Sequence, residues 1–214
     1  MNNLQSPIRN PQSHVLGLFG GTFNPVHNGH IEAARKTVAA LGLCELIFVP
    51  ACIPPHKGTG GLIPSKDRTR MLERAIRDMK NISWSDAELE RKGTSYTIDT
   101  VRYFEHRYPD KTICFLTGSD SLSTLHTWKD IGTLISECRL VIISRPGFPF
   151  SVPEQLKGLL SDEAVTSLVQ NRLEIETPDI SSTQVRKAVK NGKDISSCVP
   201  AAVKEYIEEN GLYR

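Results

Sequence analysis

The chain has 214 residues, of which 39% are hydrophobic and 23% charged, so it can bury one substantial core and is predicted to form a single α/β domain. Its net charge of only +2 argues against a nucleic-acid partner, which usually requires a clear basic excess. No apolar stretch approaches the roughly 20 residues of a membrane span, so no membrane partner is predicted.

The predicted elements alternate along the chain. Segment 1–13 is polar, contains two prolines and is predicted to be a disordered tail. Strands are predicted at 15–19, 45–49, 82–85, 113–117, 140–144 and 173–175, where short apolar runs occur. Helices are predicted at 31–41, 65–79, 97–108, 154–160, 162–170, 182–191 and 200–209. This alternation is typical of a doubly wound parallel sheet wrapped by helices.

The five cysteines are odd in number, widely spaced and contain no CxxC pair. A disulfide framework is therefore not expected, and the thiols are predicted to be small hydrophobic groups in a reduced, cytoplasmic interior. A zinc site built from Cys44, Cys52 and His56 is disfavoured, because these residues lack ligand spacing. No metal-binding residues are predicted.

The run GGTFNPVHNGH, residues 20–30, follows the first predicted strand and opens the first predicted helix. A strand that turns sharply into a helix leaves amide groups unpaired at the helix start, where an anion such as phosphate is favoured. His27 and His30 are three residues apart, so both imidazoles could face that anion if His30 begins the helix. The alternative is a turn whose glycines merely permit tight geometry. The chain has neither a P-loop nor a GxGxxG sequence to suggest another nucleotide site.

His27-Asn28-Gly29-His30 resembles the HxGH signature of the nucleotidyltransferase superfamily, and the wider run is similar to the GGTFxPxHxGH start of bacterial nicotinate-nucleotide adenylyltransferases. Later motifs of that family follow in the same order: Pro55-His56-Lys57, Ser95-Tyr96-Thr97, Gly118-Ser119-Asp120, Trp128, Arg145-Pro146-Gly147 and Ile180-Ser181-Ser182-Thr183-Gln184-Val185-Arg186. The resemblance covers residues 14–214. It implies a Rossmann-like fold for residues 14–214 with a small C-terminal helical subdomain from about 178.

The resemblance also implies the site residues. His27 and His30 would be catalytic, contacting the ATP phosphates. The other ATP-binding or phosphate-binding positions would be Gly20, Gly21, Thr22, Phe23, Lys57, Gly118, Ser119, Asp120, Ser182, Thr183 and Arg186. Asn24 departs from the aspartate of many relatives, which weakens any role that needs a carboxylate. Helix capping remains the alternative for Asp120 and for the serines at 181 and 182.

The nicotinate nucleotide would be bound by His56, Tyr96, Thr97 and Trp128. The residues themselves support part of this assignment: Ser95 to Thr97 precede a helix, where they could cap it or bind a carboxylate. Trp128 lies in a polar stretch that suits an aromatic platform for a flat ring better than a core position. The polar residues Asp67, Arg68 and Arg70 are interpreted as the solvated start of a helix and receive no role.

The activity implied by the resemblance is adenylyl transfer from ATP, with Mg²⁺, to nicotinate mononucleotide, giving nicotinate adenine dinucleotide and pyrophosphate in cytoplasmic NAD biosynthesis. A homo-oligomer is left open. Two alternatives remain: an adenylyltransferase acting on nicotinamide mononucleotide or phosphopantetheine, and a nucleotide-sensing regulator that has lost turnover. The intact set of His27, His30, Lys57 and Arg186 argues against the regulator.

Overall fold

The computed structural model describes residues 14–55, 61–145 and 147–214. Within them, six parallel strands form one sheet in the order β3-β2-β1-β4-β5-β6. The strands are β1 (Val15–Gly21), β2 (Glu45–Pro50), β3 (Ile82–Trp84), β4 (Thr112–Gly118), β5 (Arg139–Ile143) and β6 (Arg172–Leu173). The predicted α/β doubly wound, Rossmann-like sheet is confirmed, and each predicted strand overlaps an observed one.

Nine α-helices are described. They are α1 (Asn28–Leu41), α2 (Ser65–Ile76), α3 (Ala87–Arg91), α4 (Thr97–Arg107), α5 (Ile131–Glu137), α6 (Glu154–Lys157), α7 (Asp162–Gln170), α8 (Ser182–Lys190) and α9 (Ala201–Glu209). A 3-10 helix, Ser119–Thr127, follows β4. The short α3 and α5 and the 3-10 helix were not predicted. Helix α1 begins at Asn28, three residues before the predicted start.

Two cores cover the two faces of the sheet. One contains buried residues of α1, α2, α8 and α9, and the other contains buried residues of α3, α4, α5, α6 and α7. Val185 in α8 and Val203 in α9 are completely buried in the first core together with strand residues such as Phe48. The C-terminal helices therefore share a core with the sheet, and a subdomain boundary at about 178 stays a prediction. The predicted disordered tail, 1–13, lies outside the described residues.

The strand order fixes where a ligand can enter. The chain runs outward from β1 through β2 to β3, then returns to β4 on the other side of β1. In open parallel sheets, this reversal opens a crevice at the carboxyl ends of the two central strands. Here those ends are Gly21 in β1 and Gly118 in β4, the glycines of two predicted motifs.

Candidate active site

Two adjoining cavities lie at this crevice. The larger, of about 350 Å³, we call the histidine pocket; its lining includes His27, His30, Asp120, Arg145 and Arg186. The smaller, of about 180 Å³, we call the tryptophan pocket; its lining includes Glu88, Ser95, Tyr96, Thr97 and Trp128. The lining of both cavities includes Gly20, Gly21, Thr22, Pro54, Thr117 and Ser121. Ligands bound in the two pockets would therefore meet beside the end of β1.

The glycines at the end of β1 are required by close packing. A Cβ atom at Gly20 would lie 2.5 Å from the Phe115 ring, and one at Gly21 would lie 2.7 Å from the Phe23 ring. Phe23 itself is buried, with its ring centroid 5.1 Å from that of His30. Larger residues at these two positions would displace the rings that support the turn.

The turn after β1 has its carbonyl groups paired with side chains from distant helices. Three carbonyl oxygens each accept a hydrogen bond from α2 or α8. The pairs are Arg68 Nη1 to Thr22 O (2.8 Å), Arg186 Nη1 to Asn24 O (2.8 Å) and Ser182 Oγ to Pro25 O (2.8 Å). Because two of the donors are cationic, these oxygens contribute less negative potential to the pocket. This polarity favours an anionic ligand.

The two histidines form a stacked pair at the start of α1. His27 occupies the N-cap and His30 lies one turn inside the helix, with ring centroids 3.7 Å apart. The His27 amide donates to His30 Nδ1 at 3.3 Å, so a neutral His30 ring carries its proton on Nε2. His27 is 4% exposed; burial, with a smaller contribution from the Arg145 charge, lowers its pKa to about 3. His27 is therefore neutral at physiological pH and contributes hydrogen bonding, not charge.

Arg145 connects three parts of the histidine pocket. Its Nη1 pairs with Asp120 Oδ2 at 2.9 Å, and its Nη2 donates to Ile180 O at 3.2 Å. A Cβ atom at Gly118 would lie 2.4 Å from Asp120 Oδ1 and 2.9 Å from Arg145 Cδ, so glycine is needed for this pair to pack. The Arg145–Asp120 pair has no net charge, so the excess positive charge in the lining of the histidine pocket comes from Arg186. Asp120 makes an ion pair and does not cap a helix.

The tryptophan pocket is aromatic and lies at the start of α4. Trp128 packs edge-on against Phe115, with centroids 6.3 Å apart. Among the described residues no side chain caps α4, so its first amides lack a hydroxyl partner there and are suited to a carboxylate ligand. Lys129 lies 5.0 Å from the centre of the Tyr96 ring and pairs with Asp99 at 3.0 Å. The pocket therefore combines aromatic faces with donors suited to a small planar acid.

Comparison with known proteins identifies the family. The cytidylyltransferase-like family model matches residues 18–188. A Bacillus subtilis protein named nicotinate-nucleotide adenylyltransferase is 36% identical over 198 residues, covering 92% of this chain and 97% of that protein. A Clostridium acetobutylicum protein named "Probable nicotinate-nucleotide adenylyltransferase" is 37% identical over 196 residues, with the same coverage. The chain belongs to the nicotinate-nucleotide adenylyltransferases.

Solved structures share the fold. The Plasmodium falciparum nicotinic acid mononucleotide adenylyltransferase complexed with NaAD superposes with a TM-score of 0.74 at 21% identity, covering 92% of this chain and 96% of that one. The same protein complexed with APC gives a TM-score of 0.73 at 20% identity. At this identity, the likeness supports the fold alone.

The structure of this adenylyltransferase brings most of the predicted site residues together. The histidine pocket includes both predicted catalytic histidines and the ATP positions Gly20, Gly21, Thr22, Phe23, Gly118, Asp120, Ser182, Thr183 and Arg186. Tyr96, Thr97 and Trp128 line the tryptophan pocket. Ser119 is outside both linings; it is buried, and its hydroxyl accepts from Arg145 N and donates to Phe148 O. His56 and Lys57 lie outside the described residues. The roles of all these residues stay predictions.

Helix capping was the alternative role for Ser95, Ser181 and Ser182, and the structure shows it only for Ser181. Ser181 caps α8 in a capping box with Gln184. The Ser182 hydroxyl instead donates to the Pro25 carbonyl. The Ser95 hydroxyl accepts from the Cys52 amide at 2.9 Å and does not cap α4. Helix α2 begins at Ser65, as predicted, with Pro64 at the N-cap.

The interpretation of Arg68 as a solvated residue was wrong. Arg68 is 1% exposed, and burial lowers its pKa. Its guanidinium lies beneath the turn after β1, where it holds the Thr22 carbonyl. A signal was available: Arg68 is three and four residues before Met71 and Leu72, which places it on the buried face of the helix.

Glu88 in α3 was also missed. This 5%-exposed carboxylate lines the tryptophan pocket and accepts a hydrogen bond from Thr100 Oγ1 at 2.5 Å. Burial raises the pKa of Glu88, while hydrogen bonds from Ser95 and Thr100 and the Arg91 charge oppose that rise. The network ties α3 to the residues before α4. No periodicity marked it, because α3 has only five residues.

Proposed function

We propose that this adenylyltransferase transfers the adenylyl group of ATP to nicotinate mononucleotide, giving nicotinate adenine dinucleotide and pyrophosphate in NAD biosynthesis. The observation that carries the proposal is the junction of the two pockets beside Gly20, Gly21 and Thr22. One pocket offers histidine and arginine donors for a triphosphate, and the other offers aromatic faces and an uncapped helix start for a pyridine acid. Their junction is where the two substrate phosphates would meet.

The reaction needs no covalent enzyme intermediate. A phosphate oxygen of the mononucleotide attacks the α-phosphorus of ATP, a new O–P bond forms, and the bond to the departing pyrophosphate breaks in line. The attacking phosphate is already ionised at neutral pH, so a general base adds little. The task of the protein is to position two anions and stabilise the charge that develops between them. We assign this task to His27, His30 and Arg186, which line one pocket.

His27 would act as a neutral donor, because burial lowers its pKa to about 3. His30, stacked 3.7 Å from it and accepting from the His27 amide at Nδ1, would donate through Nε2. Lys57 would add a cation toward the phosphates, and His56 would lie on the nicotinate side; both belong to the proposal, although they fall outside the described residues. Trp128 would support the pyridine ring, while amides and hydroxyls near Tyr96 and Thr97 would bind its carboxylate.

Magnesium would enter with ATP as its phosphate complex, where it neutralises charge on the leaving pyrophosphate. Among the described residues, no cluster of three His, Cys, Asp or Glu could hold a metal ion. Asp120 is the only carboxylate in the described lining of the histidine pocket, and Arg145 already pairs with it. The donor set thus fits a metal held by the substrate better than a resident one.

A pyrophosphate-release assay with a panel of acceptors tests the proposal. We expect nicotinate mononucleotide to exceed its amide analogue in kcat/KM by about a hundredfold, because the amide NH₂ would face donors and leave about two of them unpaired. Equal efficiency with acid and amide would remove the nicotinate assignment but keep adenylyl transfer. Turnover with phosphopantetheine alone would favour that alternative. No pyrophosphate with any acceptor would favour a regulator.

No helix in the described part of the chain is long and apolar enough to cross a membrane. A cytoplasmic location, the absence of a nucleic-acid partner and the oligomeric state stay predictions of the sequence.

A further inference from the structure

Asn24 connects three distant segments at the wall of the histidine pocket. It is 6% exposed, and its Nδ2 donates to Gly61 O at 2.8 Å. Its Oδ1 accepts from the Tyr213 hydroxyl at 2.9 Å, although the two residues are 189 positions apart. Its backbone oxygen accepts from Arg186 Nη1 at 2.8 Å. One residue thus holds the segment at Gly61, the chain end at Tyr213 and a pocket arginine.

The chemistry of these contacts requires a side-chain amide. An amide donates and accepts at once, so Asn24 satisfies a carbonyl and a hydroxyl together. Burial raises the pKa of the Tyr213 hydroxyl, which therefore remains a donor at neutral pH. Every polar group of the buried Asn24 side chain has a partner, so the side chain has one well-defined orientation.

We propose that Asn24 is a positioning residue for the ATP phosphates and that Tyr213, next to last in the chain, acts on the pocket through it. Asn24 fixes the turn after β1, and the Asn24 carbonyl in turn holds one arm of the Arg186 guanidinium. Loss of the Tyr213 hydroxyl would leave the Asn24 side chain held only through its bond to Gly61 O, so the turn and the guanidinium would be less firmly positioned. The inference rests on the proposed function, because it assigns the histidine pocket to ATP.

The chain offers a matched control for the hydroxyl. Tyr206 in α9 donates to Asp67 Oδ1 at 2.9 Å, the same length as the bond from Tyr213. This bond joins α9 to α2, and neither Tyr206 nor Asp67 is in the lining of the two pockets. A merely structural role predicts similar consequences for Tyr206→Phe and Tyr213→Phe, whereas a positioning role separates them.

The experiment compares Tyr213→Phe, Tyr206→Phe, Asn24→Ala and the double variant Asn24→Ala/Tyr213→Phe in steady-state kinetics and thermal unfolding. We expect Tyr213→Phe to raise KM for ATP about fivefold, the usual effect of one lost hydrogen bond, with KM for nicotinate mononucleotide unchanged. Tyr206→Phe should lower the melting temperature about as much as Tyr213→Phe does, but it should leave both KM values unchanged. The double variant should match Asn24→Ala, because the hydrogen bond that Tyr213→Phe removes is the one to the Asn24 amide.

Equal KM changes in the two tyrosine variants, or additive effects in the double variant, would overturn the inference. If Asn24→Ala does not fold, the two tyrosine variants still decide. Calorimetric binding of a non-hydrolysable ATP analogue separates this inference from the proposed function. Weaker analogue binding by Tyr213→Phe supports the role of Asn24 even if no mononucleotide is turned over, and unchanged analogue binding contradicts it even if the parent protein is active.

Discussion

The histidine pocket and the tryptophan pocket share a rim but differ in what supplies their donors. In the histidine pocket, the donors are side chains: Arg186 from α8, which holds the turn after β1, Arg145 from the segment after β5, and the two histidines. In the tryptophan pocket, the donors are the uncapped amides of α4, framed by aromatic rings. Charge therefore dominates the first pocket, and hydrogen-bond pattern dominates the second.

The two pockets also rest on different cores. Phe19, Phe23 and Val26, below the histidine pocket, belong to the core shared with α1, α2, α8 and α9. Tyr96 and Trp128 pack against the core on the other face of the sheet. Two substrates could thus approach from opposite faces and meet at the ends of β1 and β4. A substitution in one pocket should therefore change mainly the binding of one substrate, which the following variants test.

The largest effect is expected for His30→Ala. In the proposed reaction His30 would contact the departing pyrophosphate, so its loss should cost about 3 kcal/mol of transition-state stabilisation, or roughly a hundredfold in kcat. ATP binding should weaken only moderately. Steady-state kinetics on the purified variant provide the measurement. A kcat within about twofold of the parent value would show that His30 is not catalytic.

The sequence predicted the sheet well because each strand is a short apolar run between turn residues, a signal that survives without tertiary information. It missed α3 and α5, whose five and seven residues make about two turns or fewer, and the 3-10 helix, whose three-residue period differs from that of an α-helix. The error at Arg68 has another cause. The spacing of Arg68 from Met71 and Leu72 indicated the buried face of the helix, but its partner, the Thr22 carbonyl 46 positions away, left no local signal.

The candidate site divides in the same way. The motifs at Gly20 to His30 and at Ser181 to Arg186 are local, and the structure brings both to one pocket. Asn24 could be noticed only as a departure from a family pattern, because its partners Gly61 and Tyr213 are remote in sequence. Arg186 and Ser182 also make long-range contacts to the turn, but they lie in a recognised motif and so could be predicted.

A second prediction compares how acidification changes the stability contributed by a titratable residue in each pocket. The pKa of His27 falls from 6.5 to about 3 on folding, so between these values only the unfolded chain binds the proton. Its contribution to stability is complete above pH 6.5 and is lost as the pH decreases toward 3, by about 2 kcal/mol between pH 7 and pH 5. Burial instead raises the pKa of Glu88 in the tryptophan pocket, so protonation of Glu88 favours the folded state.

Urea unfolding at pH 7 and pH 5 tests this contrast. The parent should lose more stability on acidification than His27→Gln, and the difference between them should be about 2 kcal/mol. An equal loss in both proteins would mean that His27 is not the group responsible.

A third prediction assigns Arg186 to one substrate. Arg186→Ala should raise KM for ATP about tenfold and leave KM for nicotinate mononucleotide nearly unchanged, because the guanidinium belongs to the histidine pocket. Lysine should rescue only part of the loss, since it cannot hold the Asn24 carbonyl and a phosphate with one planar fork. Larger changes in KM for the mononucleotide would place Arg186 on the other substrate.

The smallest effect is expected for Trp128→Ala, which removes an aromatic face but leaves the amides at the start of α4 in place. Loss of stacking should lower kcat/KM about fivefold for nicotinate mononucleotide and its amide alike, so the ratio between them should persist. Trp84→Ala is the control, because Trp84 packs against the core on β3 outside both pockets. Thr97→Val should narrow the acid-to-amide ratio instead, since its hydroxyl lies among the donors at the start of α4. A change of ratio in Trp128→Ala would mean that the ring itself, and not the helix start, selects the acid.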